Sequence, residues 1–206
     1  ALLYPGDSKR AGKTLRLRQQ YLLCSATVQD LLRQCPQRER FAEQFAVQLN
    51  DTHPTMAVPE LIRILTSEGM DFEQAAEIAF RAFSFTNHTV MPEALECWSE
   101  SLMRAVAPEL IPIIRRLDER LRAQGHEGLC IVENHTIHMA NLAVACTHCT
   151  NGVAELHTHI LKERVFADWH RAYPDRLQNV TNGITPRRWL GVCNPELTAL
   201  LSDTLG

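Results

Sequence analysis

Asp51 and His53 stand two residues apart at the end of an apolar run in this chain. Residues 45–49 are typical of a buried strand, and Pro59 begins a segment typical of a helix, so both side chains fall on the corner between them. In open α/β sheets, ligands bind at the carboxyl ends of the strands. A carboxylate and an imidazole on such a corner can hold a polyhydroxylated ligand or transfer a proton. The same residues can equally cap the helix that follows, and the corner alone does not decide between the two interpretations.

A second polar corner, Asn87, His88 and Thr89, follows the predicted strand 83–86. Two strands that end in similar corners indicate a shared functional edge of one sheet rather than two separate helix caps. A third candidate is the string NGVA at 151–154, which we interpret as a helix start. Its glycine allows unusual backbone geometry, the helix end offers free N–H groups, and Ala154 leaves room for a close ligand. A plain helix start is the alternative, and the string alone favours it.

The string CTHC at 146–149 has the spacing of half a zinc site or of a thiol–disulfide motif. Further zinc ligands are available among the histidines His135, His138, His157 and His159. However, the segment is typical of a helix with small residues suited to tight packing. A buried free cysteine commonly behaves as a small apolar side chain, so packing is the favoured interpretation.

Arg187 and Arg188 precede Trp189 in a turn-rich segment. Paired guanidinium groups can bind phosphate or carboxylate in a bidentate manner. They can also form buried ion pairs that stabilise a domain, and the sequence favours this structural role.

The composition is that of an ordinary globular protein, with 206 residues, 45% hydrophobic and 22% charged residues and a net charge of -3. This balance argues against a nucleic-acid or membrane partner. The chain starts with Ala1 and has no signal peptide, which favours a processed chain or a piece of a longer one. Seven cysteines, an odd number, favour reduced thiols and a cytoplasmic location.

The apolar periodicity also predicts the elements that must position these corners. Helices are expected at about 15–35, 58–65, 72–83, 106–121, 137–146 and 153–164, with a short one from Pro92 and another from Pro195, capped by Asn194. Asp71 is expected to cap the helix that starts at residue 72. Strands are expected at about 45–49, 83–86 and 129–132. Because strands alternate with helices and helix outweighs strand, we expect a helix-rich α/β fold with a largely parallel sheet.

Five strings follow one another over nearly the whole chain. They are YPGD with GKTLRL at 4–7 and 12–17, QLNDTHP at 48–54, TNHTVMPEALE at 86–96, NGVA at 151–154 and TNGITPRRW at 181–189. Together they resemble the glycogen/maltodextrin (α-glucan) phosphorylase family. One string would be weak support, whereas five in family order are highly specific.

The resemblance implies a two-lobed glycosyltransferase fold of the GT-B type, in which two Rossmann-like lobes face a deep cleft. Residues 1–206 would form a single segment, the later part of the amino-terminal, sugar-side lobe. The implied reaction is phosphorolysis of α-1,4-glucan or maltodextrin ends by inorganic phosphate, with release of α-glucose 1-phosphate. The implied cofactor is pyridoxal phosphate, which acts through its phosphate group, and the implied assembly is a homodimer.

The resemblance also implies roles for residues of two loops. Asp7 matches the acidic residue of a loop that gates the cleft, where Gly6 and Ser8 stand in place of the asparagines common in the family. Asp51 and His53 match a pair that lines the cleft beside the glucosyl unit.

His148 matches, in this resemblance, a histidine that holds the primary hydroxyl of the sugar and whose backbone carbonyl faces the reacting carbon. Such a dipole stabilises positive charge that develops in the transition state. Thr150 and Ala154 would lie under the same sugar. We therefore expect His148 and Asp51 to be catalytic, and Asp7, Ser8, Asp51, His53, His148, Thr150 and Ala154 to bind substrate.

The only lysines are Lys9, Lys13 and Lys162, and none stands in a motif like the family's cofactor-attachment site. We expect the attachment lysine to lie outside this chain and the chain alone to be inactive. Gln34 replaces the second arginine of a pair that binds a nucleotide phosphate in regulated animal enzymes, so we expect no strong nucleotide activation, as in bacterial maltodextrin-type enzymes. The competing hypothesis is a non-enzymatic sugar-binding module or a zinc/thiol protein that uses the CTHC string.

Overall fold

The computed structural model describes residue 6, residues 8–126 and residues 128–206. Ten α-helices are present in this part of the chain: α1 Arg10–Gln34, α2 Phe41–Gln44, α3 Ala57–Ser67, α4 Phe72–Ala82, α5 Glu100–Val106, α6 Leu110–Arg122, α7 Met139–Cys146, α8 Glu155–Ile160, α9 Ala167–Ala172 and α10 Pro195–Leu205. Seven strands accompany them: β1 Val47–Asn50, β2 Phe83–Thr86, β3 Cys97–Ser99, β4 Val132–Glu133, β5 Thr136–His138, β6 Thr150–Gly152 and β7 Leu177–Asn179. Wider π-helical turns extend α8 over Leu161–Val165 and precede α10 over Arg187–Val192.

The main sheet has four strands in the order β1-β2-β6-β7, and all three pairs are parallel. The register places Asn50 beside Thr86, Thr86 beside Asn151, and Gly152 beside Asn179. The carboxyl ends of all four strands therefore meet at one edge of the sheet. This confirms the expected α/β fold, rich in helix and built on a parallel sheet.

The core lies between the main sheet and the helices that connect its strands. Phe83 and Phe85 of β2 are fully buried, as is Leu49 of β1. Helices α3 and α4 connect β1 to β2 and pack against each other, while α6 packs on α3 and α7 packs on β2. Crossover helices of this kind cover the faces of a parallel sheet. In β2, the buried Phe83 and Phe85 alternate with the half-buried Ser84 and Thr86.

A second, three-stranded antiparallel sheet has the order β3-β5-β4. Asn134 and His135 connect β4 to β5 with φ angles of 47° and 60°. Positive φ at two successive residues is the signature of the tight hairpin turn that matches strand twist.

Several predicted elements are confirmed. The first helix ends at Gln34, before Pro36, and β2 covers residues 83–86. Asp71 caps α4, since its carboxylate accepts the N–H groups of Glu73 and Gln74. Asn194 likewise accepts the N–H of Leu197 at the start of α10.

Other predicted elements are wrong in extent or type. The helix predicted over 106–121 starts four residues later than expected, because α5 ends at Val106 and α6 spans Leu110–Arg122. Residues 129–132 do not join the main sheet. The backbone N–H groups of Ile131 and Val132 bond to the Asp118 carboxylate instead, at 2.6 and 3.1 Å.

The interpretations of the CTHC string at 146–149 as helical and of the NGVA string at 151–154 as a helix start are also wrong. Helix α7 ends at Cys146, and Thr150–Gly152 form β6, a central strand of the main sheet. Strand β7 was not predicted either. Helix α8 starts only at Glu155, so the NGVA string is a strand end and the corner that follows it.

Among the described residues, no helix has both the length and the apolar character needed to span a membrane.

Candidate functional site

Asp51 leaves β1 in a left-handed backbone conformation, with φ of 62°. Its N–H donates to the Thr86 carbonyl at 2.9 Å, which carries the β1–β2 pairing one residue past the strand. Its carboxylate accepts the N–H of Thr52 at 2.7 Å and the Thr89 hydroxyl at 3.1 Å. The two corners predicted from the sequence are therefore bonded to each other. We use the name strand-end crevice for the edge of the sheet formed by these two corners and the corner after β6.

His88 follows β2 and is exposed at this edge. Its Nε2 donates to Oδ1 of Asn50, 2.8 Å away. The preceding Asn87 is fully buried; its N–H donates to the Asn151 carbonyl and its Oδ1 accepts the N–H of Thr89. The backbone beneath His88 is consequently fixed, and its ring is oriented by a second strand.

A polar chain crosses three strands next to the strand-end crevice. Gln48 Nε2 donates to the Thr86 hydroxyl at 2.8 Å, and that hydroxyl donates to Oδ1 of Asn151 at 2.8 Å. Asn151 Nδ2 donates in turn to the Gly152 carbonyl. Networks of this kind fix the relative position of the strands that carry the corners.

The third corner, residues 153–154 after β6, is held tightly against α8. A Cβ atom at Gly152 would lie 2.3 Å from Oγ1 of Thr158 and 2.9 Å from its Cα. The Val153 N–H donates to Nδ1 of His157 at 3.2 Å, and the Val153 carbonyl accepts the N–H of Asn182 at 2.9 Å. Only glycine permits this approach of helix and strand.

His53 lies on the same corner as Asp51 and is exposed. Its Nε2 accepts a hydrogen bond from Arg16 of α1 at 3.1 Å. Arg16 also lies 3.6 Å from Glu96, and Glu96 accepts a bond from Gln20 at 2.9 Å. The long first helix thus contacts the Asp51 corner through Arg16 and orients His53.

The other residues proposed for substrate binding lie in different environments. Ala154 is half-buried at the β6 corner, whereas Thr150 is buried at the opposite end of the same strand. Ser8 is exposed just before α1. Asp7 lies outside the described residues.

His148 is not brought together with Asp51. It precedes β6, so it lies at the amino end of a strand whose carboxyl end faces the strand-end crevice. Its N–H and Nδ1 both donate to the Phe80 carbonyl, at 3.1 and 3.2 Å, and its Nε2 lies 3.3 Å from the Ser84 hydroxyl. These contacts join the end of α4 to the start of β2. His88, on the predicted shared edge, is instead bonded to Asn50, the residue that precedes Asp51.

Comparison of the sequence with known proteins identifies the family of this chain. The sequence profile of the carbohydrate phosphorylase family matches residues 1–206. This chain belongs to that family. It is 44% identical to the alpha-glucan phosphorylase H isozyme of Triticum aestivum, over 100% of this chain and 28% of the relative.

Two further relatives of this phosphorylase chain come from different kingdoms. The cytosolic alpha-glucan phosphorylase 2 of Arabidopsis thaliana is 42% identical over 99% of this chain and 27% of its own length. The muscle form of glycogen phosphorylase of Homo sapiens is 41% identical over 100% of this chain and 27% of its own length. The phosphorylase chain therefore spans little more than a quarter of the length of these relatives.

Family membership disfavours the hypothesis of a zinc/thiol protein or a non-enzymatic module. In this phosphorylase chain all seven cysteines are free. Burial raises the pKa of the Cys146 thiol to about 12, which disfavours the thiolate that zinc needs. The described residues contain no group of three or more potential ligands placed to hold a metal ion.

The paired arginines of this phosphorylase chain do not form the buried ion pairs that we expected. Arg187 and Arg188 lie in the π-helical turn before α10, and both are exposed. Helix α10 has no buried residue.

Proposed function

We propose that this chain forms the glucosyl-binding side of the cleft of an α-glucan phosphorylase. In the proposed reaction, inorganic phosphate attacks C1 of the terminal glucosyl unit, the α-1,4 bond breaks, and O4 of the shortened glucan takes up a proton. The products are α-glucose 1-phosphate and a glucan one unit shorter. The observation that carries this proposal is the meeting of Asp51, His88 and Ala154 on one edge of a parallel sheet, in a chain that belongs to the carbohydrate phosphorylase family.

Each corner has a proposed part in binding the glucosyl unit. Asp51 has both carboxylate oxygens oriented by donors from its own corner and from the next, so it can accept hydrogen bonds from sugar hydroxyls without rearrangement. His88 takes the role that the resemblance gave to His148, and its ring is already oriented by Asn50. Ala154 leaves space at the third corner, and His53 binds at the rim beside Arg16.

The proposed cofactor is pyridoxal phosphate, held by a part of the protein outside residues 1–206. The residues of this chain do not fit it by themselves, because none of the lysines Lys9, Lys13 and Lys162 stands on a strand-end corner. Lys9 and Lys13 are exposed at the start of α1, and Lys162 follows α8. The chain's proposed contribution is therefore to bind and orient the sugar.

The cell compartment and the assembly are further parts of the proposal. Seven free thiols support a cytoplasmic location. The single segment 1–206 is proposed to belong to the sugar-side lobe of the whole protein, which is proposed to be a homodimer with α-1,4-glucan or maltodextrin and inorganic phosphate as substrates.

The deciding experiment is phosphorolysis of maltoheptaose by the protein at its full natural length, with glucose 1-phosphate as the measured product. We expect Asp51→Asn and His88→Ala each to lower kcat/KM by about 10²- to 10³-fold, as for other groups that stabilise a transition state. His148→Ala is the matched comparison, and we expect it to act chiefly on stability. Full activity of folded Asp51→Asn and His88→Ala would refute the proposed site.

The chain of 206 residues, mixed with pyridoxal phosphate and phosphate, is expected to release no glucose 1-phosphate. Sustained turnover by this chain alone would mean that it builds a complete site without the proposed lysine from outside, and the division of the cleft proposed here would be wrong.

A further inference from the structure

We propose that His157 is a positioning residue of the strand-end crevice: as a neutral imidazole it holds the Val153 peptide, and this bond keeps the third corner in the shape that receives the glucosyl unit. The inference rests on the proposed function, since it assigns a residue to the same site.

Both backbone polar groups of Val153 are hydrogen-bonded. Its N–H donates to Nδ1 of His157 at 3.2 Å, and the carbonyl of the same residue accepts from Asn182 at 2.9 Å. The imidazole lies so close to the backbone of β6 that a Cβ atom on Gly152 would be only 2.8 Å from its Nδ1. His157 therefore contacts the corner through the one position in β6 that has no side chain.

The hydrogen bond determines which form of the imidazole can occupy this place. Nδ1 accepts a backbone N–H, so in the neutral ring the proton is on Nε2. Nε2 is buried and has no hydrogen-bond partner among the described residues. In imidazolium both nitrogens carry protons, so Nδ1–H would point at the N–H of Val153 and the bond would be lost.

The surroundings of His157 favour the neutral form. Burial lowers its pKa below the ordinary value, the nearby His88 lowers it further, and Asp51 opposes both. His88 and Asp51 reach it from the corners after β2 and β1. Strands β6 and β7, which pack against α8, contain no titratable residue. The residue that holds the third corner is thus in electrostatic contact with the other two.

Two consequences follow for binding. Near neutral pH the Val153 bond is intact and the corner is preformed. As the pH falls through the lowered pKa of His157, the bond is released and the affinity for glucan falls with it. Because the folded-state pKa is below the ordinary one, the same protonation also costs folding stability once the pH drops below the ordinary histidine value.

The test uses three variants of the protein at its full natural length. His157→Asn places an amide oxygen near the position of Nδ1 and does not titrate. His157→Phe fills the space without an acceptor. His159→Asn, at an exposed position on the same helix, is the control.

We expect His157→Phe to raise KM for maltoheptaose by about 3- to 10-fold at pH 7, the range for one lost hydrogen bond, with a smaller effect on kcat. His157→Asn should keep a KM close to that of the wild type at pH 7 and should lose the rise of KM on acidification. His159→Asn should keep the rise of KM on acidification. An unchanged KM in folded His157→Phe, or an unchanged acid rise in His157→Asn, would overturn the proposal.

A second measurement does not depend on turnover. The ¹⁵N shifts of the His157 ring should identify the Nε2–H tautomer near neutral pH. The Val153 amide should exchange faster in His157→Phe, which has no acceptor, than in the wild type or in His157→Asn. A Nδ1–H tautomer would refute the inference. A wild-type protein that shows the Nε2–H tautomer but no phosphorolysis would refute the proposed function and leave the bond itself established.

Discussion

His88 Nε2 and Asn50 Oδ1 lie 2.8 Å apart, so the side chains that end two neighbouring parallel strands are directly bonded. Asp51 and Thr89 form a second link between the same corners. The backbone bond from the Asp51 N–H to the Thr86 carbonyl is a third link between these two segments. Two loops that are distant in sequence consequently behave as one rigid rim.

The first prediction concerns the orientation of His88. Asn50→Ala removes the acceptor that fixes the ring, and we expect kcat/KM for maltoheptaose to fall by about 3- to 10-fold, as for one net hydrogen bond. In a His88→Ala background the same change should have little further effect, because the two residues act through one bond. Gln178→Ala, at an exposed position of β7, is the control. Additive effects of Asn50→Ala and His88→Ala would contradict this coupling.

The second prediction concerns the contact between β6 and α8. Gly152→Ala forces Thr158 away from a position 2.3 Å from the new Cβ, and part of the obstruction is backbone. We expect the free energy of unfolding to fall by about 1 to 3 kcal/mol, the usual cost of overpacking. Urea unfolding measures it. Gly183→Ala is the matched control, since nothing lies within 4 Å of a Cβ there, and an equal loss in both variants would contradict the argument.

The third prediction concerns acid stability. The Arg115 guanidinium and His135 hold the pKa of Glu100 down to about 2, against an ordinary 4.5. A lowered carboxyl pKa contributes stability above the ordinary value, and this contribution is lost as the pH falls toward 2. We expect Glu100→Gln to lower the urea midpoint at pH 7, and this difference from the wild type should shrink between about pH 4.5 and pH 2. A difference that stays constant over that range would contradict the assignment. Glu133→Gln is the control for an exposed carboxylate.

The fourth prediction concerns thiol reactivity. Cys97 and Cys193 are exposed, whereas Cys24, Cys35 and Cys146 are buried. Burial also raises the pKa of Cys24 and of Cys146 to about 12. Timed alkylation followed by mass spectrometry should label the exposed pair in the folded chain and the buried three only after unfolding. Early labelling of Cys146 would revive a chemical role for the CTHC string.

Much of the fold is predictable from this sequence because several elements carry local signals. Asp71 and Asn194 were predicted to cap helices and do so, since a short acceptor before a helical stripe acts within three residues. The segment 83–86 was predicted as a strand because its apolar residues alternate toward the core.

Strands β6 and β7 carry no such local signal. Each has three residues, and Asn151, Gly152 and Asn179 all have a low preference for strands. Both strands form because neighbouring backbones offer partners, as when the Phe85 N–H donates to the Cys149 carbonyl. Residues 129–132 show the reverse case, since this apolar run does not enter the main sheet. The N–H groups of Ile131 and Val132 bond to Asp118, and only Val132 joins the small antiparallel sheet.

The missing local signal for β6 also explains which residues of the site could be predicted from the sequence. Asp51 and His88 each follow a strand that was predicted, so the shared edge could be expected from the sequence. The place of His148 could not, because it depends on β6. His148 precedes β6 and His88 follows β2, so the two histidines lie at opposite edges of the parallel sheet.

The pairing of Phe85 with Thr150 has a consequence for how the chain folds. It joins residues that are 65 positions apart in the chain. The chain must lose the conformational entropy of closing this loop before the hydrogen bonds of the pairing can stabilise it. Non-local parallel pairings of this kind are slow to form. Until β6 docks, Phe83 and Phe85 have an open strand edge beside them, a feature that promotes aggregation. A newly synthesised chain therefore exposes this strand edge until the β2–β6 pairing forms.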